Sequence, residues 1–228
     1  MPKESVARVS INPALILRKL EAVYGRPVWK RWGSGVSVLV ETILSQNTSS
    51  ANSTAGYRQL RRRFGKWEQV AAAPIEEIER CIRVSGLSRL KAPRIRQILR
   101  QIRSEQGRIS LEFLAEREPA EAYEYLRQFS GVGPKTANCV LLFAFMMSVF
   151  PVDTHIHRIA RRLGMVPDGA TEEQTQDALT PHIAPADRYA LHILLIEHGR
   201  KVCRARRPRC GECRLLLQCP TGARISPA

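Results

Sequence analysis

The sequence is short of acidic residues and lacks a long apolar run. Asp and Glu number 21 against 36 Lys and Arg, which gives the 228 residues a formal net charge of +15. Such a surplus attracts polyanions such as nucleic acid or an anionic membrane surface, although a basic soluble protein without either partner is also compatible with it. The longest apolar stretch, 139–152, is shorter than the roughly 20 residues of a membrane-spanning helix. The start, MPKESVARVS, lacks the apolar core of a signal peptide, so we expect no membrane association.

Strand signals are also lacking. No segment shows sustained period-two alternation bounded by hairpin turns, so no β-sheet is predicted. Helix signals recur instead: Asn12-Pro13 starts one helix, Pro74 starts another, and Thr171-x-x-Gln174 forms a capping box. The chain is therefore predicted to be all-α and long enough for one or two compact lobes.

Cysteine is sparse but clustered. Four of the six cysteines fall within seventeen residues: Cys203, Cys210, Cys213 and Cys219. Without an export signal, clustered thiols in a reducing cytosol indicate a metal site more than disulfides. The spacing C-x6-C-x2-C-x5-C contains only one of the paired knuckles that zinc sites use. It mildly favours an iron–sulfur cluster and leaves zinc open.

The loop between the first two clustered cysteines is rich in arginine. Its six residues include Arg204, Arg206, Arg207 and Arg209. Guanidinium groups on a metal-pinned loop form a rigid phosphate-binding surface. A solvated basic face is the alternative, although so many neighbouring cations repel one another unless an anion is near.

A second motif, GVGPKTANCVLLFAF, predicts a helix, a short hairpin and a second helix. Gly131 and Gly133 permit a tight turn with exposed N–H groups, and Pro134 suits the first helical position. Those N–H groups and the helix N-terminus form a candidate phosphate site. Lys135 follows in the first turn, where the helix dipole disfavours an ammonium group and so favours a neutral, nucleophilic amine. A phosphate-contacting lysine fits these residues equally well.

Asp153 lies eighteen residues after Lys135, in PVDTHIHR, where it would cap a helix in any protein. Together GVGPKTANCVL, PVDTHIHR and the four-cysteine spacing resemble the helix-hairpin-helix–Gly/Pro–Asp DNA glycosylases, with the endonuclease III branch nearest. The resemblance runs from about residue 35 to residue 220. It implies that Lys135 and Asp153 are the catalytic pair and that the clustered cysteines hold a [4Fe–4S] cluster.

The resemblance also implies two helical lobes with a DNA-binding cleft between them. Residues 36–148 would form a six-helix domain with the helix-hairpin-helix motif. Residues 1–35 and 149–228 would form a discontinuous domain that carries the [4Fe–4S] cluster. The partner would be double-stranded DNA containing a damaged base or an abasic site. The protein would act as a monomer in the cytoplasm, associated with the nucleoid.

Two further segments resemble those that the family inserts where the base has left the helix. In ETILSQNTSSANS, Asn47 lies at the polar wedge position, where Gln is more usual, and Ser50 lies where bacterial members often have Asp. In GLSRLKAPRI, Leu87 matches the apolar wedge, although by itself it is equally an ordinary helix-terminal contact. Gln46, Ser50 and His155 are the candidate pocket residues; His155 equally fits a surface position in a capping turn.

The implied activity is that of a bifunctional DNA glycosylase and AP lyase in base-excision repair. It would remove damaged, oxidised pyrimidines through a Schiff base at Lys135 and cleave 3′ to the abasic site by β-elimination. A mismatch-specific thymine or uracil glycosylase of the same fold is one alternative, and a non-catalytic damage-binding module is another. The adenine-removing branch usually lacks the lysine and has a glutamate where this chain has Thr42, so Lys135 argues against that branch.

Overall fold

The computed structural model describes residues 11–225, and within that range the chain is helical with no β-strand. This confirms the all-α prediction. None of the described helices is both long and apolar enough to cross a membrane. The chain divides into two compact units. Of the described residues, the first unit joins those up to Trp29 with those from Ser148 onward, and the second unit is Lys30–Met147.

Short connections and 3₁₀ turns join the helices. The described range contains α1 Pro13–Tyr24, α2 Gly35–Ser45, α3 Ser50–Arg63, α4 Trp67–Ala72, α5 Ile75–Ile82, α6 Ser88–Gln106, α7 Pro119–Arg127, α8 Pro134–Phe145, α9 Thr154–Arg162, α10 Glu172–Leu179, α11 Arg188–Lys201 and α12 Pro220–Ile225.

The second unit is centred on α2 and α8, which pack against each other. Both helices are almost wholly buried because their sequences are apolar on most sides, as Leu39 and Leu141 illustrate with no exposed surface. Helix α3 packs on α2, and α4 and α5 pack on α6. The resemblance implies six helices here, whereas this fully described unit has seven. Pro74 separates α4 from α5 because a residue before proline avoids the helical region, and Ala73 is extended with ψ 152°.

The first unit is built around α9 and α11, which pack against each other, with α1 packed on α11. Its core contains Leu20, Ile156 and Leu194, all almost fully buried. The predicted caps are present: Asn12 Oδ1 accepts a hydrogen bond from the N–H of Ala14 at 2.9 Å. Thr171 and Gln174 form the predicted capping box at the start of α10. These caps fix where the helices begin.

Candidate active site and cluster site

The predicted helix-hairpin-helix is formed by α7, residues 128–133 and α8. Gly131 has a left-handed backbone with φ 76°. Its missing side chain also makes room for Arg94, because a Cβ at this position would overlap the Arg94 guanidinium. Arg127 Nη1 donates to the Val132 carbonyl at 2.8 Å, and Pro134 occupies the first position of α8. The hairpin is thus shaped by glycine and held by arginine side chains.

Gln46, the C-cap residue of α2, connects that helix to the hairpin through its side-chain amide. Its Nε2 donates to the Gly131 carbonyl and to Thr136 Oγ1, both at 3.2 Å. Its Oε1 accepts from Arg94 Nη1 at 3.4 Å. The hairpin carbonyls at Gly131 and Val132 therefore accept hydrogen bonds from within the protein, and Pro134 at the first position of α8 has no N–H that needs a partner. The sequence predicts a pocket residue at Gln46, and the structure places it as a support of the hairpin.

The other predicted residues of the second unit lie on separate segments. Lys135 is the second residue of α8 and is half-buried. Asn47 and Leu87 are exposed, and both have left-handed backbone, with φ 54° and φ 51°. Ser50 is exposed at the first position of α3, whose N-cap is Ser49. Of these predicted residues, Gln46 is bonded to the hairpin through its side chain.

In the first unit, Asp153 caps α9. Its Oδ1 accepts from the backbone N–H groups of His155 and Ile156, each at 2.9 Å. His155 Nδ1 lies 3.1 Å from Arg158 Nη2, and burial lowers the pKa of His155, so its ring is neutral at neutral pH. Arg158 also donates from Nε and Nη2 to the Cys203 carbonyl, at 3.1 and 2.9 Å. Helix α9 thus connects the Asp153 cap to the first clustered cysteine.

The four clustered cysteines line one pocket. It is bounded by Cys203, Cys210, Cys213 and Cys219 and encloses about 320 Å³, counting the space at its mouth. Among the described residues, no group of three or more His, Cys, Asp or Glu side chains is arranged to hold a metal ion. The fit to a [4Fe–4S] cluster is one of donor chemistry, because four thiols line the same pocket.

His198 supports two of these cysteines. Its Nε2 lies 3.5 Å from Cys213 Sγ, and its Nδ1 lies 3.2 Å from the Tyr24 hydroxyl. Its carbonyl accepts from the Cys203 N–H at 2.9 Å. Burial lowers the pKa of His198 to about 4, so the ring is neutral at neutral pH. Burial also raises the pKa of the Cys213 thiol to about 11, so a thiolate needs positive charge supplied beside it.

Arg162, the last residue of α9, holds the arginine-rich loop. Its Nη1 donates to Cys203 Sγ at 3.2 Å and to the Arg204 carbonyl at 2.7 Å, and its Nη2 donates to the Ala205 carbonyl at 3.0 Å. Neither Arg158 nor Arg162 is among the predicted site residues. Their spacing of four in THIHRIARR, which places them on one face of α9, is the signal that would have found them.

The predicted phosphate-binding arginines of this loop are all exposed. Arg209 forms an ion pair with Glu212 at 3.5 Å. Arg207 has left-handed backbone with φ 49°, which keeps the loop tightly turned. The loop therefore presents a basic surface, and hydrogen bonds from Arg162 hold the loop backbone in place. The exposed arginines are Arg204, Arg206, Arg207 and Arg209.

Comparison with known proteins identifies the family. Residues 40–185 match the HhH-GPD superfamily of base excision DNA repair proteins, and this segment contains the hairpin, Lys135 and Asp153. The chain belongs to this superfamily. The family name abbreviates helix-hairpin-helix and Gly/Pro–Asp, the features that the structure shows around Gly131 and at the start of α9.

Two relatives and one solved structure show how far the likeness extends. A putative DNA glycosylase of Arabidopsis thaliana is 41% identical over 165 residues, which are 72% of this chain and 56% of that protein. Endonuclease III of Thermotoga maritima is 36% identical over 183 residues, which are 80% of this chain and 81% of that protein. A trapped covalent intermediate of endonuclease III with DNA matches with a TM-score of 0.80 at 26% identity, covering 94% of this chain and 99% of that one. The chain is a base-excision DNA glycosylase with the endonuclease III fold.

Proposed function

We propose that this DNA glycosylase is bifunctional: it removes damaged, oxidised pyrimidines from double-stranded DNA and cleaves 3′ to the abasic site. The observation that carries the proposal is the position of Lys135, in the first turn of α8 directly after the Gly131 hairpin. An endonuclease III of the same fold is trapped as a covalent intermediate with DNA, which requires a nucleophile on the protein. Lys135 supplies an amine directly beside the phosphate site proposed for the hairpin.

The hairpin binds a phosphate beside the damaged nucleotide. Because Gln46 and Arg127 occupy the carbonyls at Gly131 and Val132, the hairpin is held in one conformation before DNA arrives. The N–H groups at Gly131 and Gly133 then face an anion at the positive end of the α8 dipole. The phosphate grip places the sugar of the damaged nucleotide near Lys135.

The base must leave the stack before the chemistry, because its glycosidic carbon is inaccessible in duplex DNA. Asn47 and Leu87 occupy the gap, Ser50 contacts the extruded base, and Gln46 supports the hairpin. The neutral Lys135 amine attacks the sugar C1′. The N–C1′ bond forms, and the glycosidic bond breaks with its electron pair leaving on the base, which takes up a proton. The attached nitrogen gives a proton to water, and its lone pair forms the C=N bond of a protonated Schiff base as the C1′–O4′ bond breaks, with the bond's electron pair and a proton going to O4′.

Strand cleavage follows from that adduct. Loss of a proton from C2′ and departure of the 3′ phosphate break the C3′–O3′ bond, and water then releases Lys135 from the imine. Asp153 supplies a carboxylate that accepts a proton and stabilises positive charge on the sugar. One Asp153 oxygen, Oδ1, accepts both cap hydrogen bonds, so the carboxylate is held in a fixed orientation by α9.

Cys203, Cys210, Cys213 and Cys219 would hold a [4Fe–4S] cluster, whose contribution is structural and supplies no redox step to this reaction. With the four cysteines bound to the cluster, the arginine-rich loop between Cys203 and Cys210 would be held in position. Arg162 fixes the loop backbone, and Arg204, Arg206 and Arg207 meet DNA phosphates. These contacts orient the DNA and carry no information about the base.

Borohydride trapping tests the Schiff base. Wild-type protein is incubated with a duplex that contains a natural abasic site, and reduction should link protein and DNA covalently. Lys135→Gln should abolish the link while binding falls little, because one cation among many is lost. Equal trapping by the variant would show that another amine is the nucleophile. Lys30→Gln, an exposed lysine of the same unit, is the matched control for charge.

A panel of duplexes tests the substrate. Separate substrates carry thymine glycol, dihydrouracil, uracil, and thymine opposite guanine. Release of thymine glycol and dihydrouracil is the expected result. Release of only uracil or mismatched thymine would establish a mismatch glycosylase of the same fold instead. Binding without release of any base would indicate a damage-binding module.

A further inference from the structure

Lys91 is a buried lysine that the proposed chemistry does not use. It lies in the first turns of α6 with only 2% of its surface exposed. Fully buried lysines are rare in proteins unless their charge is paired or well hydrogen-bonded. Lys91 Nζ donates to the Leu44 carbonyl at 2.7 Å and to the Ser85 carbonyl at 2.9 Å. The buried Lys91 ammonium group therefore donates to two backbone carbonyls from two different segments.

Each of these two carbonyls lies at the C-terminal end of a helical segment. Leu44 lies in the last turn of α2, whose final carbonyls have no partner within the helix. Ser85 ends the 3₁₀ turn Arg83–Ser85. An ammonium group at the C-terminal end of a helix is favoured by the helix dipole, so a charged Lys91 suits the end of α2. Burial lowers the pKa of Lys91, which is the opposing effect.

The two segments lead directly to the proposed insertion residues. Asn47 follows Leu44 by three residues, and Leu87 follows Ser85 by two. Both side chains are exposed, and both residues have left-handed backbone, which is uncommon for any residue other than glycine. Such a conformation persists only where the surrounding structure fixes it. The N–H of Lys91 also donates to the Leu87 carbonyl at 3.0 Å.

We propose that Lys91 is a positioning residue that sets the spacing of Asn47 and Leu87 by joining the ends of their two segments through one ammonium group. The proposal rests on the proposed function, since it assumes that these two residues enter the DNA. With Lys91 in place, the two residues are presented to the gap as a pair. Without it, two buried carbonyls lose their donor and each segment can move independently.

Two measurements on Lys91→Met test this. The first uses a duplex with a tetrahydrofuran abasic analogue opposite 2-aminopurine, whose fluorescence rises when insertion unstacks it. Wild type should raise the fluorescence at saturating protein, and the variant should lose most of the rise. The second compares borohydride trapping on a natural abasic site. In duplex DNA the rate should fall about tenfold, and in single-stranded DNA, which has no gap to hold open, less than about twofold.

Controls separate positioning from general damage to the fold. Lys30→Met removes an exposed lysine of the same unit and should behave as wild type. Lys91→Arg keeps donors for both carbonyls, so it should recover part of the duplex-specific loss. If Lys91→Met does not fold, Lys91→Arg replaces it in the comparison of duplex with single-stranded DNA. The expected result is then a smaller loss of trapping rate, confined to duplex DNA.

Two outcomes contradict the role of Lys91: an equal loss on duplex and single-stranded DNA, or no loss on either. Absence of trapping by wild type would instead overturn the proposed lyase chemistry. The fluorescence measurement needs no catalysis, so it would still decide whether Lys91 positions the insertion residues.

Discussion

Gly131→Ala perturbs the hairpin in two ways that the structure lets us estimate. Alanine must adopt φ 76°, a left-handed conformation that costs about 1–2 kcal/mol for a residue with a Cβ. The new Cβ also overlaps the Arg94 guanidinium. Because that group is the end of a flexible side chain, it can move aside, and the cost is its hydrogen bond to Gln46 Oε1, about 0.5–1.5 kcal/mol. Together these give a loss of about 1.5–3.5 kcal/mol in the free energy of unfolding.

Gly133→Ala is the matched control for stability. Gly133 has φ −83°, and the atom nearest to an added Cβ is Arg127 Nη1 at an ordinary 3.9 Å. The same substitution there should be neutral or stabilise by about 0.4–1 kcal/mol through the unfolded chain. In a chain of this size 1 kcal/mol shifts Tm by about 2–4 °C, so Gly131→Ala should lower Tm by about 3–14 °C in thermal unfolding followed by circular dichroism. Equal Tm values for the two variants would refute the account of the hairpin.

Three further predictions concern the first unit. Arg206→Ala with Arg207→Ala should weaken damaged and undamaged DNA alike and flatten the slope of log K against log salt by up to about 2, measured by fluorescence anisotropy; an unaltered slope would leave these arginines as a solvated face. Protein purified without oxygen should contain about four irons per chain, and Arg162→Ala should lose them to a chelator faster than wild type; stoichiometric zinc without iron would exclude the cluster. Asp153→Asn should keep α9 capped, since Asn is as good a cap, yet slow single-turnover base release about 10²-fold or more; unchanged release would remove Asp153 from the chemistry.

Local patterns in the sequence predict the parts of the site that local interactions determine. The hairpin depends on two glycines and a proline within four residues, and the start of α9 depends on one aspartate side chain and the next N–H groups. Each of these features is complete within a few residues, so its chemistry is visible in the sequence. The same is true of the capping box at Thr171.

Contacts between distant segments are not visible in this way. Gln46 and Gly131 are 85 residues apart, and Lys91 reaches Leu44 across 47 residues. A lysine in GLSRLKAPRI matches the pattern of a solvent-exposed helix, and only the packing of α2 against α6 makes it a buried donor to two carbonyls. Periodicity tells which residues face inward but not which carbonyl each will meet.

The most direct test of the central claim identifies the residue that becomes bonded to DNA. Wild-type protein is reduced with borohydride on a duplex containing an abasic site, digested with protease, and analysed by mass spectrometry. The account predicts a single modified peptide, from the start of α8, with the deoxyribose remnant on Lys135. The mass increase should vanish in Lys135→Gln. A remnant on any other amine, or no covalent product from active protein, would contradict the assignment.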